Sequence, residues 1–158
     1  MYKIRKAKKD NCLEIDLKLR KLLSERKLKQ AENLARKNVK EFNDSESFYG
    51  LALTLATVGF LKNINSKKKK AQQYYRKIIS KFPGTMHAYL SQARIKEESY
   101  KLKEALPFYK KAFKKYPTTL NAIHIANIYK QLNKAPLAKK YYSIAEKIKK
   151  TNLIILNN

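Results

Sequence analysis

A pattern of small and aromatic residues recurs about every 34 residues in this chain, and it constrains the fold more than any other feature. The clearest copy spans residues 86–119, where apolar and small residues follow the spacing of two amphipathic helices. We expect Pro107 in the first turn of the second helix, where a missing N–H costs little, and Pro117 to end that helix. The positions are Met86, Tyr89, Leu90, Ala93 and Ile95 on the first helix, and Ala105, Leu106, Tyr109, Ala112, Phe113 and Tyr116 on the second.

Two further copies flank this one, and their small residues stand where helices would have to cross closely. In the downstream copy Lys150 replaces the closing proline. Gly59 lies inside a helix of the upstream copy, where a glycine costs about 1 kcal/mol relative to alanine. The matching residues are Leu55, Gly59, Ala71, Tyr75, Ile78 and Pro83 upstream, and Ile125, Ala126, Tyr129, Ala138, Tyr142 and Ala145 downstream.

This arrangement resembles the tetratricopeptide repeat (TPR) family, whose motif orders a large aromatic, a small residue, an alanine, an aromatic, a second alanine and a proline. Gln92 and Lys96 depart from the pattern, which has leucine and tyrosine there. The resemblance implies an all-α fold, an α-solenoid of antiparallel helix hairpins (a TPR-like superhelix). It also implies that a neighbouring helix crosses at Gly59. The central copy matches the motif with Tyr89, Ala93, Ala105, Tyr109, Ala112 and Pro117.

We predict one TPR-like domain over residues 1–158, beginning with a degenerate repeat. Asp44 or Ser45 is expected to cap the helix of about residues 46–62, the most hydrophobic in the chain and therefore central in the stack. The apolar C-terminal segment is interpreted either as a cap over the last repeat or as a dimerisation or docking segment. The predicted segments are 1–11 (basic arm), 12–45 (degenerate repeat), 52–85, 86–118 and 119–152 (TPR-like repeats) and 153–158 (apolar hook).

The chain carries 37 basic and 12 acidic residues, a net charge of +25. Codon bias accounts for many lysines but not for the scarcity of acids, so we interpret the charge as functional. Because TPR second helices face outward, the resemblance implies a basic convex ridge, which would attract nucleic acid, an anionic membrane or an acidic protein. A composition rich in lysine and poor in arginine favours diffuse contact with phosphates over bidentate reading of bases. The ridge residues are Lys67, Lys68, Lys69, Lys70, Arg76, Lys77, Lys110, Lys111, Lys114, Lys115, Lys139, Lys140 and Lys147.

The same resemblance implies that the first helices line a concave peptide groove of mixed polar character. Chaperone-binding TPR proteins hold a terminal carboxylate with lysine, arginine and asparagine. His87 and His124 stand near positions where the basic members of that clamp are expected, so we disfavour such a role. The predicted groove residues are Thr57, Phe60, Asn63, His87, Ser91, Arg94, Glu98, His124, Asn127 and Gln131.

The sequence shows no motif for catalysis or for a cofactor. It has no phosphate-binding glycine loop, and two histidines with one cysteine do not make the usual zinc cage. We expect no catalytic, cofactor-binding or metal-binding residues and no enzymatic activity. No apolar run approaches the roughly 20 residues of a membrane span. A single reduced cysteine, Cys12, and the absence of a secretory pattern favour a cytoplasmic protein.

Two functional hypotheses follow. The first is a non-enzymatic scaffold or adaptor that mediates protein–protein interaction and docks on an acidic partner segment or complex. The alternative is an RNA- or ribosome-associated factor that uses the lysine-rich ridge, and the two coexist if the partner is a ribonucleoprotein. The oligomeric state stays open.

Overall fold

The computed structural model describes residue 15 and residues 17–156, and every regular element in that part of the chain is an α-helix. The predicted basic arm (1–11) and Cys12 lie outside the described residues. The all-α prediction is confirmed. The helices are α1 (17–24), α2 (Leu28–Phe42), α3 (Ser45–Leu61), α4 (Asn65–Lys81), α5 (Met86–Glu98), α6 (Leu102–Lys115), α7 (Thr119–Gln131) and α8 (Ala135–Leu156).

Helices α3 and α4, α5 and α6, and α7 and α8 pack as hairpins, and α1 is joined to α2 by the same kind of turn. Each of these four turns has one residue in the left-handed region. These residues are Arg26, Asn63, Tyr100 and Asn133, with φ between 53° and 57°. In every turn the next residue donates its backbone N–H to a carbonyl five residues earlier, at 2.8–2.9 Å. This bond satisfies a carbonyl at the end of the first helix, as in a Schellman motif. The donors are Lys27, Ile64, Lys101 and Lys134.

The described residues fall into two compact units, one ending at Phe82 and the other beginning at Pro83. In the first unit, α3 packs against α2 and α4. Nine residues of α3 are buried, and its central place in the whole stack stays a prediction. Alanines fill the closest helix contacts, and the large buried side chains come from α3 and α4. These residues are Ala31, Ala35, Ala52 and Ala71, with Leu51, Leu55, Tyr75 and Ile78.

Helix α3 begins with a reciprocal cap. The backbone N–H of Ser47 donates to Asp44 Oδ1 at 2.9 Å, and the backbone N–H of Asp44 donates to Ser47 Oγ at 3.2 Å. Two donors that the helix itself cannot satisfy are thereby bonded. Of the two predicted capping residues, Asp44 is the cap.

The second unit repeats this arrangement from Pro83 on. Helix α5 packs on α6, α6 on α7, and α7 on α8. Threonines cap two of these helices: Thr85 accepts from the Ala88 N–H and Thr118 from the Asn121 N–H, each at 3.1 Å. The buried residues include the expected small and aromatic positions Ala93, Ala105, Tyr109, Ala112, Ile125, Ala126, Ala138 and Ala145.

Two expectations for this unit are corrected. Helix α6 begins at Leu102, five residues before Pro107, so Pro107 lies inside the helix rather than in its first turn. The turn at Tyr100 sets where α6 begins, whereas the apolar pattern starts only at Ala105. Pro107 lies on the exposed side of α6. The expected hook is also different: the backbone of residues 153–156 continues α8 as helix, and residues 157–158 lie outside the described part.

Gly59 marks the close approach that its position predicts. A Cβ built there would lie 2.9 Å from Lys68 Cγ, 3.0 Å from the Lys68 backbone N and 3.1 Å from the Ile64 carbonyl O. We expect Gly59→Ala to lower the free energy of unfolding by about 1 kcal/mol, since overpacking outweighs the helix propensity gained. Urea denaturation measures this.

Gly50, in the same helix, provides the matched control. A Cβ there would meet only Leu19 Cδ1, at an ordinary 3.5 Å. Gly50→Ala should therefore stabilise the protein by up to about 1 kcal/mol. Equal stabilisation by both substitutions would show that α4 yields at Gly59 without cost.

Candidate functional site

The second unit contains an open groove of about 620 Å³ between side chains of α5 and α7. Its lining is polar and includes two cations and one carboxylate. Such a groove suits a charged or hydrogen-bonding segment better than an apolar ligand. The lining residues are Arg94, Glu97, His124, Asn127, Lys130 and Gln131.

Helix periodicity explains why these side chains meet. Arg94 and Glu97 are three residues apart on α5, and the lining residues of α7 follow steps of three, four and seven. The opposite face of α7 is buried through Ala122, Ile125 and Ala126. Each helix thus places its apolar face in the core and directs one polar stripe to the groove.

The floor of the groove is a fixed polar network centred on the Glu97 carboxylate. Tyr109 donates its hydroxyl to Glu97 Oε2 at 2.5 Å, and Arg94 Nη1 donates to the same oxygen at 3.0 Å. Tyr109 is fully buried, and its ring stacks on His124 with centroids 5.2 Å apart and planes 19° apart. One buried tyrosine on α6 therefore positions groove residues of both α5 and α7.

Helix α8 supports the other side of the groove. Tyr142 donates its hydroxyl to Asn127 Oδ1 at 2.6 Å. This bond orients the Asn127 amide, because its oxygen is engaged by a donor from the neighbouring helix. Lys130 and Gln131, at the end of α7, are exposed.

Four of the predicted groove residues line this groove: Arg94, His124, Asn127 and Gln131. Glu97 and Lys130 were missed, although each lies three residues from a predicted residue on the same helix stripe. The spacing of three residues along one helix is the sequence signal by which Glu97 and Lys130 could have been predicted.

Three predicted residues of α5 are placed differently. Ser91 is completely buried, which corrects its expected place on the groove surface, because its side chain faces the interior of the unit. Glu98 is exposed and His87 is half-buried, and neither lines the groove described above.

The predicted groove residues of the first unit lie at the end of α3. Phe60 is 77% exposed, which is unusual for a large aromatic side chain. The Thr57 hydroxyl donates to the Leu53 carbonyl in its own helix at 2.9 Å. Asn63 forms the left-handed turn and accepts a bond from Lys68 Nζ at 3.3 Å.

The structure corrects the prediction that Lys67 belongs to the exposed basic ridge. Lys67 is half-buried and forms an ion pair with Glu32 of α2, so its charge is compensated within the first unit. Lys68 is also half-buried. The remaining predicted ridge residues are exposed: Lys69, Lys70, Arg76, Lys77, Lys110, Lys111, Lys114, Lys115, Lys139, Lys140 and Lys147.

No group of three or more His, Cys, Asp or Glu side chains that could hold a metal ion occurs among the described residues. None of the helices described here combines the length and apolar character needed to cross a membrane.

The comparisons with known proteins are structural. No family model matches the sequence. No curated protein matches it either. A thermophilic TPR protein of Thermus thermophilus aligns with a TM-score of 0.68 and 12% identity, over 88% of this chain and 74% of that one.

Two structures of MamA also align, each with a TM-score of 0.52. The first, MamA MSR-1, has 15% sequence identity to this chain, and the alignment covers 83% of this chain and 72% of the MamA chain. The other MamA structure has 16% sequence identity to this chain, and the alignment covers 96% of this chain and 86% of that one. Together with the repeat residues in the cores of both units, these likenesses show that the protein has the tetratricopeptide-repeat fold, an α-solenoid of antiparallel helix hairpins.

Proposed function

We propose that this chain is a non-enzymatic scaffold that mediates protein–protein interaction, and that its α5–α7 groove receives an extended acidic segment of the partner. The observation that carries the proposal is the groove itself. It presents Arg94 and Lys130 beside amide side chains and is shaped by a fixed floor. This combination suits a peptide carrying carboxylates.

The floor network favours binding because it is ordered before the partner arrives. Glu97 is held by Tyr109 and Arg94, and His124 is held by the Tyr109 ring. Side chains that are already positioned lose little rotamer freedom when a ligand binds. The polar side chains of α7 in the groove then supply hydrogen bonds along the segment.

The acidic character of the partner follows from charge. The groove has two cations against the single carboxylate of Glu97, and the whole chain carries a net charge of +25. A field of this sign accelerates the approach of negative segments and disfavours positive ones. The proposed compartment is the cytoplasm, because the single cysteine leaves no internal disulfide to form.

Binding of a fluorescent peptide tests this function. The probe is a Glu- and Asp-containing peptide of about 12 residues, long enough to extend along a groove. We expect Arg94→Gln with Lys130→Gln to weaken its binding about tenfold or more, since each lost charged hydrogen bond is worth about 1.5 kcal/mol or more. Fluorescence anisotropy at fixed salt measures the affinity.

The control removes the same charge outside the groove, by Lys101→Gln with Lys134→Gln in two turns of the same unit. These substitutions should change the affinity little. Equal weakening in both variants, or amide chemical shifts that leave α5 and α7 unperturbed, would show that the peptide responds only to net charge and would contradict the proposal.

A further inference from the structure

The outer side of the second unit carries a dense array of lysines that the groove does not use. Between residues 102 and 151 the chain has twelve lysines, no arginine and two acidic residues, Glu104 and Glu146. We call the following exposed residues of α6 and α8 the lysine face: Lys110, Lys111, Lys114, Lys139, Lys140 and Lys147.

An aromatic contact places the two halves of this face side by side. Phe113 of α6 meets Tyr141 of α8 edge to face, with ring centroids 6.3 Å apart and planes at 79°. Lys110 and Lys114 flank Phe113 on α6, and Lys140 precedes Tyr141 on α8. The ring pair is thus a point at which α6 and α8 meet, and lysines flank it in sequence on both helices.

Carboxylates do not neutralise the lysine face. Glu104, the acid of α6, lies in the first turn of that helix and pairs with Lys96 at 2.5 Å and Lys101 at 3.9 Å. In the described part of the chain, no ion pair joins a lysine-face residue to a carboxylate.

Aromatic rings hold two of the lysines instead. Lys110 Nζ lies 5.5 Å from the centroid of the Tyr129 ring, and Lys111 Nζ lies 5.7 Å from Phe108 and 5.9 Å from Tyr89. An aromatic ring attracts an ammonium group without cancelling its charge. Hydrogen bonding to Tyr129 raises the pKa of Lys110 above its ordinary value, against the smaller effect of burial. The ring contacts thus hold both ammonium groups at the exposed side of α6, where an external anion can reach them.

The chemistry of the lysine face suits a chain of phosphates better than a lipid surface. A membrane-binding helix inserts an apolar face beside its cations, whereas Ala105, Tyr109 and Ala112 of α6 are buried in the protein. Lysine contacts phosphates as a point charge and lacks the arginine fork that reads base edges. Tyr116, 57% exposed at the end of α6, offers a ring on which an unpaired base can stack.

We propose that the lysine face, together with Tyr116, binds the backbone of single-stranded nucleic acid without sequence preference. This surface lies on α6 and α8, apart from the peptide groove of α5 and α7. The protein would then join a nucleic acid to an acidic protein segment, which extends its role beyond a purely protein scaffold.

The test measures anisotropy of labelled oligo(U) and oligo(dT) of about 20 nucleotides with the full chain, from about 50 to 200 mM salt. One variant combines Lys110→Gln, Lys111→Gln, Lys114→Gln and Lys140→Gln. We expect the affinity of this variant for the oligonucleotides near 0.1 M salt to be about 10²–10³-fold lower than that of the wild type. The slope of log affinity against log salt concentration should become shallower by about 2.8, which is 0.7 for each lost phosphate contact. The acidic peptide should bind this variant nearly as well as the wild type.

The matched control removes four exposed lysines from the first unit, by Lys29→Gln, Lys37→Gln, Lys40→Gln and Lys62→Gln. This control variant should retain most of the wild-type affinity for the oligonucleotides and most of its dependence on salt concentration. Equal losses in the two variants would overturn the proposal in favour of net charge. Binding to phosphatidylserine vesicles without binding to either oligonucleotide would overturn it in favour of a membrane.

A third variant tests the base contact. Tyr116→Ala removes the exposed ring and no charge, so we expect about tenfold weaker binding with an unchanged salt slope. An unchanged affinity, or equal affinity of the wild type for a duplex of the same length, would overturn the single-strand assignment.

Discussion

Replacing Tyr109 with alanine is expected to lower the free energy of unfolding by about 3–5 kcal/mol, the range found for large aromatic truncations in protein cores. Tyr109 is fully buried in the second unit, and its removal leaves a cavity beside Ala105 and Ala112. The same substitution removes a donor to the Glu97 carboxylate and the ring under His124. Urea denaturation measures the stability, and the acidic peptide reports the effect on the groove.

Tyr109→Phe separates packing from hydrogen bonding. Phenylalanine keeps the ring against His124 but leaves Glu97 with one donor fewer, so we expect a loss of about 1.5–3 kcal/mol. Tyr142→Ala is the control, since that side chain is 37% exposed and bonds to Asn127. A stability loss at Tyr142 as large as that at Tyr109 would contradict the view that Tyr109 is the central support of this unit.

Replacing Glu32 with glutamine is expected to cost about 1.5–3 kcal/mol of stability at neutral pH, because charged hydrogen bonds are lost. Glu32 accepts from Arg36 Nη2 at 2.7 Å and from Lys67, and its side chain is only 15% exposed. Burial by itself raises the pKa of Glu32, but the bonds from Lys67 and Arg36 outweigh it and the net pKa is lowered.

A lowered pKa fixes the sign of the pH dependence. The contribution of Glu32 is complete above its ordinary pKa near 4.5 and is lost as the pH falls through the lower value of the folded state. The stability difference between wild type and Glu32→Gln should therefore shrink below about pH 4.5. Urea denaturation between neutral and acidic pH tests this.

Glu104→Gln serves as the control for that experiment. Glu104 also pairs with lysines, but it is exposed, and exposed ion pairs contribute little to stability. Its substitution should change stability only slightly at any pH. If the difference in the free energy of unfolding between the wild type and Glu32→Gln stayed constant with pH, the ion pair between Glu32 and Lys67 would not form in solution.

The helical repeat could be predicted from the sequence because the closest contacts demand particular residue sizes. Ala93, Ala105 and Ala112 are fully buried, as are Tyr75 and Tyr109, and all five stand at repeat positions that the sequence predicts. Four of the six residues that line the groove could be predicted for a related reason, whereas six of the ten predicted groove residues lie elsewhere. Once the period is set, residues three or four apart share a face.

What the sequence did not reveal depends on partners distant along the chain. Lys67 looks like its three neighbouring lysines, yet it alone of the four meets Glu32, 35 residues away. Ser91 shares a helix stripe with polar groove residues but is covered by packing within its unit. The left-handed turns at Arg26 and Tyr100 could not be predicted, because these residue types have no preference for that conformation.

The left-handed turns within the hairpins affect how a chain of this kind could gain or lose hairpins during evolution. Arginine, tyrosine and asparagine occupy the same left-handed position in different hairpins, while the backbone bond that closes the turn is the same in all of them. The geometry therefore does not depend on conserving one side chain. A duplicated hairpin would carry the same internal turn with it. Gene duplication could thus add or remove binding surface in whole steps, without requiring a new turn to evolve each time.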